Sequence, residues 1–180
     1  PVSGVLSYVA AREDIQPKSS KELSVKREYF LLDEKLFAES QAEGSGTQGG
    51  GFSRYFDPKV VANLPRVGRD VKSGQKVLVR LTVDVKEPVR YLVLEDPLPA
   101  GAEVLDEQSG GWAYAWSSQT VRDEKMVFFQ REMATGSVPF YYVMRPQIPG
   151  RYHVLPPVIE GMYAPEVRAR GAESRLEIRE

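Results

Sequence analysis

The sequence predicts an all-β fold: an antiparallel β-sandwich with at most one short helix and a glycine-rich loop. Three observations predict it. In Gln75–Gly101, Val77, Val79, Leu81, Val83 and Val85 fall on one face of an extended chain. Lys76, Arg80, Thr82 and Asp84 fall on the other, with Leu78 the apolar exception. Five in-phase apolar positions fit a period of two and not 3.6. Turn residues then recur at short spacing through the second half, as a sandwich requires. Finally, there is no βαβ alternation and no repeat at a fixed period, so nine to twelve short strands in two packed sheets are expected.

In chain order, Gly4–Ala10 reads as a strand, Asp14–Glu22 as a polar loop, and Leu23–Leu32 as a second strand in which Arg27 and Glu28 break clean alternation. Asp33–Phe37 suits a strand end or a helical turn. Residues 39–51, ESQAEGSGTQGGG, hold no large apolar side chain and read as a flexible insertion. No Gly-Lys-Ser/Thr follows, so they do not form a phosphate cradle. Phe52, Tyr55 and Phe56 stand at near-helical spacing and suggest a short helix or an aromatic clasp. Arg69–Gly74 reads as a turn into the long valine strand. Lys86-Glu87-Pro88 ends that strand, and the run from Tyr91 to Leu94 is expected to form a hairpin with it. Pro97, Pro99 and Gly101 then turn the chain out of the sheet.

Ala102–Leu105 is a short strand. Trp112, Tyr114 and Trp116 alternate with alanines, which suits a packed aromatic face or a carbohydrate platform. Thr120–Arg122, Met126–Gln130, Ser137–Arg145, Arg151–Leu155, Val158–Glu160 and Arg175–Ile178 complete the expected strands. Residues 1–180 are read as one domain, with 1–38 supplying its N-terminal strands. At 180 residues, 42% hydrophobic and 27% charged, such a chain can bury about two-thirds of its unfolded surface.

The composition excludes several kinds of function. Twenty-four basic against 25 acidic residues give a net charge of −1, with no basic cluster, so nucleic acid is not an expected partner. No apolar run reaches the ~20 residues of a membrane span, and PVSGVLSYVA lacks a basic leader region. The stretch is therefore expected to carry no targeting signal or membrane insertion of its own, and it is compatible with being part of a longer chain. Without cysteine there are no disulfides, thiolate nucleophiles or Cys-ligated zinc. His153 is the single histidine, so a two-histidine metal site is impossible, and no other triad member stands out. Glu95 and Asp96 are strand neighbours pointing to opposite faces and do not make an acid/base pair. Asp96 before Pro97 reads as a turn starter. Neither catalysis nor a cofactor is expected.

The C-terminal half carries long ordered motifs: LVLEDPLPAG (92–101), VFFQ (127–130), FYYVMRPQIPGRYHVLPPVIEGMYAPEVRAR (140–170) and a final LEIRE. These resemble the last domain of bacterial alpha-macroglobulins. The matching positions are Glu95, Asp96, Pro97, Leu98, Pro99, Gly101, Arg145, Pro149, Gly150, Pro156, Pro157, Glu160, Met162, Tyr163, Pro165, Glu166, Val167 and Arg170. The match is dense from about residue 75 onward and looser before it, and the insertion at 39–51 departs from the pattern.

The resemblance implies a macroglobulin-like β-sandwich at the C-terminus of a large periplasmic chain, lipid-anchored to the inner membrane. Such a parent is an endopeptidase inhibitor that traps or blocks proteases in envelope defence. Partners would be sibling domains, target proteases met through the parent, and other envelope proteins. A thioester needs a cysteine, which this stretch does not have. Within the motifs, Gly101 and Gly150 are expected to adopt positive φ at turns, and Arg145 is expected to pair with Glu95 or Glu160. Met162-Tyr163-Ala164-Pro165 is an apolar loop, either a plug over one end of the sandwich or a contact with a neighbouring domain. The rival reading is a stand-alone β-sandwich that binds glycan or an adhesion partner through Trp112, Tyr114 and Trp116.

Overall fold

The computed structural model describes residues 15–33, 35, 57–105, 117–122 and 124–180. The readings for Gly4–Ala10, for residues 39–51, for Phe52, Tyr55 and Phe56, and for Trp112–Trp116 lie outside them. Twelve strands and one helix are described: β1 (Leu23–Leu31), α1 (Pro58–Asn63), β2 (Asp70–Lys72), β3 (Val77–Val85), β4 (Val89–Pro97), β5 (Ala102–Val104), β6 (Ser117–Arg122), β7 (Lys125–Met133), β8 (Gly136–Pro146), β9 (Gly150–Val154), β10 (Val158–Gly161), β11 (Arg168–Arg170) and β12 (Ser174–Arg179). They form a sheet in the order β1-β3-β8-β5, a second in the order β11-β10-β4-β7-β6, and a small third, β2-β12-β9. All pairings are antiparallel except the parallel β12–β2 pair. The all-β sandwich is as the periodicity predicts.

The valine strand is central to the first sheet. Val77, Val79, Leu81 and Val83 are fully buried, with β1 on one side and β8 on the other over their whole length. They pack with Leu92 and Leu94 of β4, Met126 and Phe128 of β7, and Phe140 and Tyr142 of β8 in one continuous core. The Phe128 and Phe140 rings lie 5.3 Å apart. Each such side chain contributes roughly 1.5–3 kcal/mol of burial. Leu78, the exception to the alternation, points to the outer face of the first sheet. There it is buried in a second cluster with Phe30, Tyr141, Val143 and Val61 of α1. Asp57 caps α1 by accepting from the Lys59 N–H at 2.8 Å, with Pro58 at its first turn.

Three expectations are corrected here. β3 and β4 are not a hairpin: they lie in different sheets, and Lys86-Glu87-Pro88 carries the chain across the sandwich. Each strand has one apolar face, and both faces can meet the same core only from opposite sides. The Pro97–Gly101 exit crosses back to β5, and Ala134-Thr135 crosses again from β7 to β8. Arg69–Gly74 is not only a turn, because it contains β2, parallel to the C-terminal strand. Tyr91 is not simply extended. It has φ 53, and the β4–β7 ladder steps from Arg90↔Glu132 to Leu92↔Gln130 without pairing it.

Candidate docking surface

Most of the motif residues are buried or half-buried and fix turns, while Met162, Tyr163, Pro165 and Glu166 are exposed on one loop. Glu95 and Asp96 do point to opposite faces. Glu95 pairs with Lys125 at 2.8 Å on the outside, while Asp96 is fully buried. Asp96 is therefore not a turn starter accepting from local backbone. Its phase along β4, shared with Leu92 and Leu94, carries it into the core. There it meets Arg27 Nη1 at 2.7 Å through one carboxylate oxygen and the Tyr142 hydroxyl at 2.7 Å through the other.

Arg27 sits in the equivalent phase of β1, level with Val25 and Tyr29, and its side chain is 2% exposed. It also donates to Leu155 O at 3.0 Å, Val154 O at 3.2 Å and Ser174 Oγ at 2.8 Å. Tyr29 OH lies 3.0 Å from the same serine oxygen. One guanidinium thus joins β1 and β4 to β9 and β12, spanning all three sheets.

Burial works against the charge on Arg27, but Asp96, Tyr29 and Tyr142 more than offset it and hold the guanidinium's pKa up. Burial also pushes the Asp96 carboxyl up, against the pull of Arg27 and Tyr142. The two shifts favour opposite states of the pair. The short Nη1–Oδ1 contact, with a donor on the second oxygen, favours the ionised one. Burial pushes Tyr29 up to about 12 and Tyr142 well above its ordinary value.

The prolines and glycines of the motifs act through packing. Pro99, Pro156 and Pro157 are buried, and Pro149 is exposed. Leu98 is half-buried against the core. Gly150 has φ 158, but Gly101 is not among the positive-φ glycines. Gly101 is needed for space: a Cβ there would stand 2.4 Å from the Tyr152 ring. Its carbonyl accepts from the Gln147 and Ile148 N–H groups, which locks the β4–β5 exit onto the β8–β9 turn. Arg145 pairs with Glu103, its register partner on β5, and not with Glu95 or Glu160. Those two are held by their own cross-strand cations, Lys125 and Arg168.

The exposed set lies between β10 and β11. Gly161 N–H donates to Val167 O, Val167 N–H to Ala164 O and Ala164 N–H to Gly161 O, so the loop closes on itself. Tyr163 is 80% exposed, Met162 50% and Tyr91 44%, and Pro165 and Glu166 are exposed beside them. The Tyr91 and Tyr163 rings meet edge-to-face with centroids 5.4 Å apart. The loop does not plug the sandwich; it projects from it. A shallow groove of about 400 Å³ runs past Pro165 and Glu166 toward Lys18 and Arg170.

His153 is exposed on β9, opposite Arg175 in register. No group of three His, Cys, Asp or Glu side chains able to hold a metal occurs among the described residues. Nor is any described helix long and apolar enough to cross a membrane.

Two features lay beyond the sequence reading. Arg27 and Asp96 could have been found, because each is a lone charge on the apolar phase of a strand, and the two signs match. The strain at Tyr91 leaves no such trace.

Among the described residues the exposed large apolar side chains are Tyr91, Val121, Ile148, Leu155, Met162 and Tyr163, and Tyr91, Met162 and Tyr163 stand together at one projecting loop of an all-β sandwich. The comparisons place it further. The bacterial alpha-2-macroglobulin MG10 domain model matches residues 23–166, and the chain belongs to that family. It is 32% identical over 125 residues to an alpha-2-macroglobulin of Escherichia coli K12, covering 59% of this chain and 8% of that one. Salmonella alpha-2-macroglobulin reacted with methylamine superposes with TM-score 0.65 at 24% identity, over 92% of this chain and 10% of the other. Native Escherichia coli alpha-2-macroglobulin from domain MG7 to the C-terminus gives TM-score 0.63 at 26% identity, over 91% of this chain and 24% of that one. The chain spans a tenth or less of the length of the curated relatives it matches. Those structural neighbours are multi-domain chains, which supports packing of this domain against others of the same polypeptide.

Proposed function

We propose that residues 1–180 form the non-catalytic C-terminal domain of a bacterial alpha-macroglobulin, docking through the 161–167 loop onto a sibling domain. The parent would be a periplasmic, lipid-anchored endopeptidase inhibitor serving envelope defence. Target proteases would be met through the parent, and other envelope proteins are further partners. The carrying observation is Tyr163, 80% exposed at the tip of a closed loop, flanked by half-exposed Met162 and Tyr91. A monomeric module has no folding reason to hold three large apolar side chains together in water.

Hydroxyl-radical footprinting tests this on the parent chain against the 180-residue domain. Met162 and Tyr163 are expected to be labelled several-fold more slowly in the parent, while exposed Ile148 and Leu155 serve as internal references. Equal labelling of Tyr163 in both would overturn the docking assignment. An antibody to the domain that detects only a 20.2 kDa band in fractionated cells would overturn the large parent.

A further inference from the structure

Tyr91 is an aromatic residue in a left-handed backbone conformation, with φ 53. Conformations of that kind are uncommon for side chains other than Gly, Asn and Asp, and persist only where the surroundings over-determine them. Here the surroundings do. Arg90 and Leu92 are fixed on either side by the β7 ladder, and Leu92 is fixed to Gly161 by β10. One step past the end of β10, the Met162 N–H donates to the Tyr91 carbonyl at 2.7 Å. The strain is not repaid by core burial, because Tyr91 is 44% exposed. What the ring does touch is Tyr163, edge-to-face at 5.4 Å. Backbone and ring of one residue therefore act on the same loop: the carbonyl fixes its first amide, and the ring stands behind its most exposed side chain.

We infer that Tyr91 is a positioning residue, whose left-handed backbone and ring hold Tyr163 in one outward pose for insertion into an apolar pocket of a sibling domain. The inference rests on the docking function proposed above. It adds that the anchor is pre-ordered before docking, so that little side-chain freedom is lost on contact. The tip of the anchor is an aromatic ring with a hydroxyl, so the pocket it fits is apolar-walled with a polar group at its end.

The test begins on the 180-residue chain with ring-labelled tyrosine and amide exchange, and uses three variants. Tyr91→Phe keeps both ring and backbone and is expected to leave Tyr163 ring order and Met162 amide exchange unchanged. Tyr91→Gly keeps the positive φ without strain but removes the ring. The Tyr163 ring is expected to become mobile while the melting temperature stays the same or rises. In Tyr91→Val a β-branched side chain disfavours positive φ, and the Met162 amide is expected to exchange at least ten-fold faster.

A Tyr163 ring as mobile in the wild type as in Tyr91→Gly would overturn the inference, as would a Met162 amide unaffected by Tyr91→Val. In the parent chain, Tyr91→Gly should then raise Tyr163 footprinting several-fold, with Tyr91→Phe restoring protection. If Tyr163→Ala leaves the parent's domain packing intact, the docking function fails. The measurements on the 180-residue chain still decide the role of Tyr91.

Discussion

Arg27 is a cation removed from water, and its cost is met by geometry. Both terminal nitrogens are used, one on Asp96, Leu155 O and, at 3.4 Å, Pro97 O, the other on Val154 O and Ser174. The guanidinium carbon lies 5.4 Å from the Tyr29 ring centroid, and only Nε is buried without a partner. A buried pair of this kind is not by itself a source of stability, because desolvation offsets most of the attraction. Removing one member leaves an uncompensated charge, at about 3–5 kcal/mol. Asp96→Asn is accordingly expected to lose about that much in urea unfolding at neutral pH, and Arg27→Met a similar amount. Together they should cost clearly less than the sum of the singles, as contacting residues do. The double variant does not reach wild-type stability, because the Val154 and Leu155 carbonyls lose their donor. A single-variant cost below about 1 kcal/mol would show that water already reaches the pair, contrary to its burial.

At the scale of elements, the strands were legible in the sequence and their partners were not. Period two marks β3 from five valines and leucines, because a half-buried strand needs only one apolar face. Nothing in that period says whether the next strand pairs beside it or crosses to face it. Both arrangements bury the same residues, and a three-residue Lys-Glu-Pro corner serves either. The three-residue β2 and β11 offer too few positions for any period, and unlike the equally short β5 they do not stand between two turns legible in the sequence. Leu78 broke the pattern for a reason outside its own strand, the helix over the first sheet. The motif residues were visible as a set, but their roles came from contacts far apart in sequence. Gly101 shows this best, since its partner is Tyr152.

Gly101→Ala would place a Cβ 2.4 Å from ring atoms of Tyr152, whose hydroxyl is itself held by Ile148 O at 2.9 Å. The ring must swing away and lose that bond, so a loss of about 1–3 kcal/mol is expected. In a Tyr152→Ala background the added methyl should cost well under 1 kcal/mol, because a ring that is absent needs no displacement. An unchanged cost in that background would mean that the backbone at Gly101, and not the packing of two turns, demands glycine.

At the scale of the whole molecule, the three sheets share one core and one polar hub, so the hub is not expected to open without the fold. Alkaline titration reads this directly. Burial raises Tyr29 from 10.0 to about 12, and Tyr142, which donates to the Asp96 carboxylate, stands well above 10.0. Below pH 10 both phenols are protonated whether the chain is folded or not, and their contribution to stability is complete. As pH rises past 10 the unfolded chain releases these protons while the folded chain keeps them. Stability must then fall, by up to about 1.4 kcal/mol per pH unit for each tyrosine, until the folded pKa is passed. Absorbance at 295 nm should therefore withhold at least the shares of Tyr29 and Tyr142, out of nine tyrosines, until far-UV circular dichroism is lost, and those shares and the dichroism should move together. Replacing Tyr142 by Phe should remove one share of the delayed absorbance and flatten the decline above pH 10. That variant is expected to be less stable at neutral pH, where Asp96 loses a donor. If all nine tyrosines ionise by pH 11 with the circular dichroism still native, the hub opens on its own. The third sheet would then be a separable flap and not part of a single cooperative sandwich.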